Sequence, residues 1–176
     1  MRGRRLRAPD GLATRPTSDR VREALFNIIA PRVPGARFLD VCAGSGAVGL
    51  EAISRGADKA VFVEQSRRAL EQLESNIENC GVADMTRIIA KDALAALRAL
   101  ATREEQFDII FVDPPYDAHL YKPILRLLGM SSLVAPDGLV VVERRSRHDL
   151  PPEAGTLRHY RDVRYGDSTL AFYERI

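Results

Sequence analysis

A chain of 176 residues, 45% hydrophobic and 28% charged, has the length and composition of one compact globular domain rather than of a disordered polymer. No apolar run approaches the roughly 18–20 residues that cross a bilayer, and the basic start Met1-Arg2-Gly3-Arg4-Arg5-Leu6-Arg7 leads into no apolar secretory core. Cys42 and Cys80 are too few for a disulfide framework and no CxxC pair or His cluster offers ligands, so a cytoplasmic protein with no membrane and no metal is expected. The net charge of +2 hides an asymmetry: residues 1–22 hold seven arginines against two aspartates, a local +5, which leaves −3 on the other 154 residues. A basic arm on a nearly neutral domain points to an anionic partner such as nucleic acid, while a chain with 23 arginines and three lysines also carries such a tail by composition alone.

In chain order, Val21, Ala24, Leu25, Ile28 and Ile29 recur at helical spacing, with Thr17 or Ser18 as N-cap and Pro31 as the stop. Arg37–Val41 is a short apolar strand that runs into a glycine-rich turn, and Ala47–Arg55 is a helix closing near Gly56. The β-branched run Ala60–Val63 follows, and then a helix capped by Ser66, striped with Leu70, Leu73, Ile77 and Cys80, and closed by Gly81. Further strands are expected at Thr86–Ala90, Phe107–Val112 and Leu139–Val142, with helices at Ala93–Ala101 and Leu120–Gly129. Strands apolar on both faces that alternate with helices imply a parallel sheet covered on both sides. Thr156–Arg164 and Ser168–Glu174 flank the turn Tyr165-Gly166-Asp167 and read as an antiparallel hairpin, with Pro151-Pro152 a loop before it. The expected fold is therefore α/β: a doubly wound, mostly parallel seven-stranded sheet ending in a hairpin, one domain over residues 17–176 with a basic arm at 1–16.

The segment Cys42-Ala43-Gly44-Ser45-Gly46-Ala47-Val48-Gly49 is a G-x-G-x-x-G turn between a strand and a helix, where backbone approaches a ligand closely. Glu64 ends the next strand, 18 residues past Gly46, where a carboxylate can accept both hydroxyls of a ribose. NAD fits that pattern, but a dinucleotide rests its pyrophosphate on the helix N-terminus, and Asp40 just before the turn repels it. A ligand with a positive charge or amino group and no phosphate, such as S-adenosylmethionine, suits Asp40 better. Asp40-Val41-Cys42-Ala43-Gly44-Ser45-Gly46 resembles motif I of the class I S-adenosylmethionine-dependent methyltransferases, which have a Rossmann-like fold. That resemblance implies cofactor contacts at Asp40 and along Cys42, Ala43, Gly44, Ser45 and Gly46. It also implies Glu64 with Gln65 at the ribose, and Asp92 with Ala93 at the adenine. Asp92 is equally suited to capping the helix that follows.

Asp113-Pro114-Pro115-Tyr116 leaves a buried strand at the carboxyl edge of the sheet, where open α/β sheets bind ligands. Two prolines fix φ and remove two donors, leaving a stiff loop that presents carbonyls. A carboxylate, a fixed carbonyl and an aromatic face together hold a planar amine. An exocyclic base amine is a poor nucleophile because its lone pair is delocalised into the ring. Acceptors aimed at its N–H bonds turn that lone pair toward a methyl donor, and alignment of this kind is worth up to roughly 7–11 kcal/mol. Asp113 then orients the amine and offsets the charge developing on nitrogen. The tetrapeptide resembles motif IV of the methyltransferases that modify exocyclic amines of adenine, cytosine or guanine. Methylation at pyrimidine C5 would need a nucleophilic cysteine, and neither Cys42 nor Cys80 stands in a comparable loop.

Arg15-Pro16-Thr17-Ser18-Asp19-Arg20-Val21-Arg22-Glu23-Ala24-Leu25-Phe26-Asn27 adds a third signature. Together with motif I, Glu64, the Asp113 loop and the terminal hairpin, it resembles the bacterial 16S ribosomal RNA guanine-N2 methyltransferases, the RsmD-like family, over nearly the whole chain. The resemblance implies methylation of guanine 966 in small ribosomal subunits, by a protein expected to act as a monomer. Members of that family usually begin with a further short β segment, so this chain is expected either to be shortened or to have a misplaced start. Candidate phosphate contacts are Arg4, Arg5, Arg7, Arg15, Arg20 and Arg22, with Arg144, Arg145 and Arg147 after the last parallel strand. Arg20 and Arg22 also have helix-surface partners within reach, Asp19 and Glu23. His119, His148 and His159 are scattered in polar surroundings. Tyr121, Tyr160, Tyr165 and Tyr173 either stack on bases or fill packing. From the residues alone, a DNA adenine-N6 or other base-amine methyltransferase, an NAD-dependent oxidoreductase and a non-catalytic RNA-binding assembly factor remain open.

Overall fold

The computed structural model describes residues 19–115 and 118–176. The expectations placed on Arg4, Arg5, Arg7, Arg15, Thr17, Ser18 and Tyr116 lie outside the described residues. Helix α1 (Asp19–Ile29) buries Val21, Ala24, Leu25, Phe26 and Ile29. It runs straight into a 3-10 turn, Ala30–Arg32, because Pro31 falls in the first turn of that element, where a missing N–H costs nothing. The α-helix itself ends at Ile29, just before the proline, as expected.

Strands β1 (Arg37–Val41), β2 (Lys59–Glu64), β3 (Thr86–Ala90) and β4 (Phe107–Val112) alternate with helices α2 (Ala47–Ser54), α3 (Arg67–Cys80) and α4 (Ala93–Thr102). After α5 (Ala118–Gly129) come β5 (Val134–Arg145), β6 (Glu153–Ala154), β7 (Leu157–Tyr165) and β8 (Ser168–Arg175). They form one sheet in the order β3-β2-β1-β4-β5-β8-β7-β6. The first five strands are parallel and the last three join antiparallel. The doubly wound, mostly parallel sheet and its terminal hairpin are as expected, with eight strands in place of seven. The eighth, β6, is two residues long and too short to show an alternation; it is held by pairing to β7 and by the Thr156 amide donating to the Gly129 carbonyl at 2.8 Å. Strand β5 also starts earlier than Leu139, because Pro136-Asp137-Gly138 is absorbed where the β4–β5 register shifts between Phe107 and Ile109.

Alternation along the strands divides the core in two. Phe38, Phe62, Ile109, Phe111, Leu139 and Val141 pack with α1, α2 and α3. Leu39, Val41, Val63, Ile110, Val112 and Val142 pack against α4 and α5 on the opposite face. Each such side chain contributes roughly 1.5–3 kcal/mol on burial, so both layers of helices are firmly seated. Among the described residues no helix is long and apolar enough to cross a membrane. The strand order reverses direction between β1 and β4, which opens a crevice at the carboxyl ends of these two central strands.

Candidate active site at the carboxyl edge of the sheet

A cavity of about 430 Å³ occupies that crevice. It is lined by Asp40, Cys42, Ala43, Gly44 and Ser45 from the glycine turn, Glu64 and Gln65 after β2, Asp92 and Ala93 at the start of α4, and Asp113, Pro114 and Pro115 after β4. Segments more than seventy residues apart in sequence thus meet in one cleft. Gly46 stands behind it, at the N-cap of α2, with φ 79°. A Cβ there would lie 2.3 Å from Leu73 Cδ1, so glycine is required both for the turn and for the contact with α3. Asn76, buried in α3, donates through Nδ2 to the Ser45 carbonyl at 3.0 Å and fixes the tip of the turn.

Two carboxylates organise the backbone here. Glu64 accepts from the Gly44 amide through Oε2 at 2.8 Å and from the Gln65 and Ser66 amides through Oε1, both at 2.8 Å. Asp40, 1% exposed, accepts from the Gly49 amide inside α2 at 2.9 Å. The Gly46 amide donates to the Ala43 carbonyl at 2.8 Å. Of the turn and helix amides, those of Gly44 and Gly49 are thus bound to acids and that of Gly46 to a carbonyl, and two carboxylates this close to the helix start disfavour a pyrophosphate. Burial pushes the Asp40 carboxyl up to about 7, with the Glu64 charge adding to the rise and the Gly49 hydrogen bond opposing it. Cys42 sits at φ 64°, an uncommon left-handed conformation for a side-chain-bearing residue. Burial pushes its thiol up to about 12, helped by Glu64, Asp113 and Asp40, so it carries no thiolate for nucleophilic attack.

Opposite the turn, the Asp113 amide donates to the Val41 carbonyl at 3.1 Å, carrying the β1–β4 ladder one residue beyond the strand. This bond and the two prolines hold the Asp113 loop stiffly across from the glycine turn. Asp92 serves as the N-cap of α4, accepting from the Ala95 amide at 3.0 Å, while also lining the cavity.

The cleft draws on residues the sequence reading left out of the site. Tyr121 from α5 is 4% exposed, and Glu143 near the end of β5 is 8% exposed; both line the cavity with Lys91, Leu94, Leu120 and Ser168. Glu143 bore a readable sign, an acid at the carboxyl end of a buried apolar strand, as Asp40, Glu64 and Asp113 are. Tyr121 was one of four tyrosines open to stacking or packing, and only the packing of α5 turns it toward the cavity. Burial pushes its phenol up to about 12, with Asp113 and Glu143 adding to the rise and Arg144 and Arg145 opposing it.

Of the candidate phosphate contacts, Arg144 and Arg145 line this same cavity. Arg144 is bound to Asp162 at 2.7 Å and to the carbonyls of Arg145 and Ser146, which ties β5 to the hairpin. Arg22 pairs with Asp19 at 2.8 Å, Arg20 and Arg147 are exposed, and none of the three lines the cavity. His159 bonds to Asp162 at 2.9 Å, and no group of three or more metal-ligating side chains occurs among the described residues. Tyr173 is buried in the hairpin with its hydroxyl donating to the Pro151 carbonyl, whereas Tyr160 and Tyr165 are exposed.

Comparison with known proteins matches residues 1–174 to the family described as Conserved hypothetical protein 95. The YlbH protein of Bacillus subtilis (strain 168) is 38% identical over 174 residues, covering 99% of this chain and 95% of its own. Ribosomal RNA small subunit methyltransferase D of Escherichia coli (strain K12) is 36% identical over 99% of this chain and 86% of its own. The solved structure of the Escherichia coli yhhF protein superposes with a TM-score of 0.85 at 36% identity, covering 99% of this chain and 93% of that one. With the acid-bound glycine turn and the Asp113 loop facing each other across one cleft, the chain belongs to this family, the RsmD-like S-adenosylmethionine-dependent methyltransferases of bacterial small-subunit ribosomal RNA.

Proposed function

We propose that this protein transfers a methyl group from S-adenosylmethionine to the exocyclic N2 amine of a guanine in 16S ribosomal RNA, with guanine 966 as the target nucleotide. The observation that carries the reading is the convergence of the Asp40–Glu64 turn and the Asp113-Pro114-Pro115 loop on a single cavity of about 430 Å³. The residues present fit the cofactor: acids at Asp40 and Glu64 beside the turn, and open backbone at Gly44, where an added Cβ would meet nothing within 4 Å. When bound, S-adenosylmethionine supplies an electrophilic methyl group on a positively charged sulfur.

The chain's own residues do the rest. The Gly44 backbone and Glu64 receive the ribose, Asp92 and Ala93 the adenine, and Asp40 fixes α2 beneath the turn through the Gly49 amide. Asp113 and the carbonyls of its proline loop accept the N–H bonds of the target amine and direct its lone pair across the cleft, and Tyr116 stacks on the base. As nitrogen gains the methyl group and positive charge, the Asp113 carboxylate stabilises it until the surplus proton passes to solvent. The basic arm at residues 1–16, with Arg20, Arg22, Arg144, Arg145 and Arg147, supplies phosphate contacts to the small ribosomal subunit, on which the protein acts as a monomer in the cytoplasm. Labelled methyl transfer to purified small subunits, naked ribosomal RNA and duplex DNA, followed by nucleoside analysis, tests the reading. N2-methylguanine in the small subunit is the expected product, and label confined to N6-methyladenine in DNA overturns it.

A further inference from the structure

The Asp113 loop by itself holds any exocyclic amine; something else must tell guanine from adenine or cytosine. We propose that Glu143 is a specificity-determining residue that reads the N1–H of the target guanine while Asp113 holds the adjacent N2 amine, an inference that rests on the guanine-N2 reading above. Strands β4 and β5 are parallel neighbours with Val112 opposite Val142, so Asp113 and Glu143 are the next residues along the same register. Adjacent strands lie about 4.8 Å apart. Alternation places both after Phe111 and Val141 on the α1–α3 face, and both line the cavity. Glu143 is 8% exposed and fixed on its other side by the pairing of β5 with β8, opposite Leu170. Its backbone is therefore as rigid as the sheet centre. Tyr121 lines the same cavity beside the two carboxylates.

Two acceptors side by side match guanine and oppose the other amine-bearing bases. Guanine presents N1–H and N2–H as contiguous donors on one edge. Adenine and cytosine present a lone pair, at N1 or N3, beside their amine, and a carboxylate facing that lone pair repels it. Sites that hydrogen-bond a substrate N–H reject analogues lacking it far more strongly than apolar pockets reject a missing methylene.

The test compares small subunits assembled from ligated ribosomal RNA carrying guanine, 2-aminopurine or N1-methylguanine at the target position. 2-Aminopurine keeps the exocyclic amine but has a bare N1 acceptor and no O6. The unsubstituted protein is expected to prefer guanine over 2-aminopurine by about 100-fold in kcat/KM and to reject N1-methylguanine. In Glu143→Gln the amide can donate to N1, so the preference should narrow by at least about tenfold, with S-adenosylmethionine affinity by calorimetry unchanged. Equal losses on both bases, leaving the ratio intact, overturn the proposal. Should that variant not fold, the unsubstituted protein still decides: indifference to N1 chemistry overturns the proposal alone. Absence of N2-methylguanine on the guanine substrate overturns the underlying guanine-N2 reading as well.

Discussion

The Gly49 amide donates to Oδ2 of Asp40 across 2.9 Å, joining the end of β1 to the interior of α2 with both residues buried. The bond places an acid directly beneath the glycine turn, in surroundings that raise its pKa from 3.8 to about 7. A raised carboxyl means that the folded state holds a proton the unfolded chain has already lost. Stability therefore declines as pH rises from about 4 through about 7 and levels off above that. At about 1.4 kcal/mol per unit, the contribution is at most about 4 kcal/mol. Asp40→Asn should flatten this part of the profile, measured as denaturant midpoints of the unliganded protein between pH 5 and 8; parallel profiles for the two proteins would refute it.

Gly49 has a second constraint. A Cβ there would lie 2.3 Å from Phe62 Cε1 and 2.8 Å from Cζ. Gly49→Ala should cost about 1–3 kcal/mol by pushing α2 off β2. Pairing it with Phe62→Leu should recover part of that loss, as read from urea unfolding of the single and double variants.

Glu64 binds three backbone amides, so its removal acts on the turn as well as on the ribose site. Glu64→Ala is expected to weaken S-adenosylmethionine binding by at least about tenfold and to lower the thermal midpoint by several degrees. A dissociation constant unaltered in titration calorimetry would contradict the assignment.

Asp113 stands across the cleft from the turn, and its substitution should separate chemistry from cofactor binding. Asp113→Ala is expected to lower methyl transfer by at least about 100-fold while S-adenosylmethionine affinity stays within a few-fold. Turnover near that of the unsubstituted protein would remove Asp113 from the mechanism.

With its thiol pushed up to about 12, Cys42 is about one part in ten thousand thiolate at pH 8. Iodoacetamide at that pH should modify it far more slowly than a free cysteine in a denatured sample, with peptide mass mapping as the readout. Rapid alkylation of Cys42 in the folded protein would contradict the burial that sets its pKa.

Local pattern was enough for most elements because their signals are local. The α3 helix carries its own Ser66 cap and Gly81 stop, and β1, β2 and β4 are apolar on both faces because they lie inside a covered sheet. The misreadings fall where a long-range partner overrides local chemistry. Pro136-Asp137-Gly138 lies ahead of the strand expected at Leu139–Val142 until pairing with β4 draws it into β5, and Glu153-Ala154 has no pattern until β7 lies beside it.

The same division holds in the cleft. Composition and spacing by themselves picked out the turn Cys42–Gly46, the acids Asp40, Glu64 and Asp113 and the proline loop, since each is a short run whose residue types limit its chemistry, whereas Asp92 entered through the resemblance. Only the tertiary structure decided that Asp40 and Glu64 are bound to the amides of Gly49 and Gly44, that Arg144 is tied to Asp162, and that Tyr121 and Glu143 line the same cavity as Asp113. The physical reason is the reversal of strand order between β1 and β4, which brings the carboxyl ends of sequence-distant strands to one crevice, a relation no local pattern encodes.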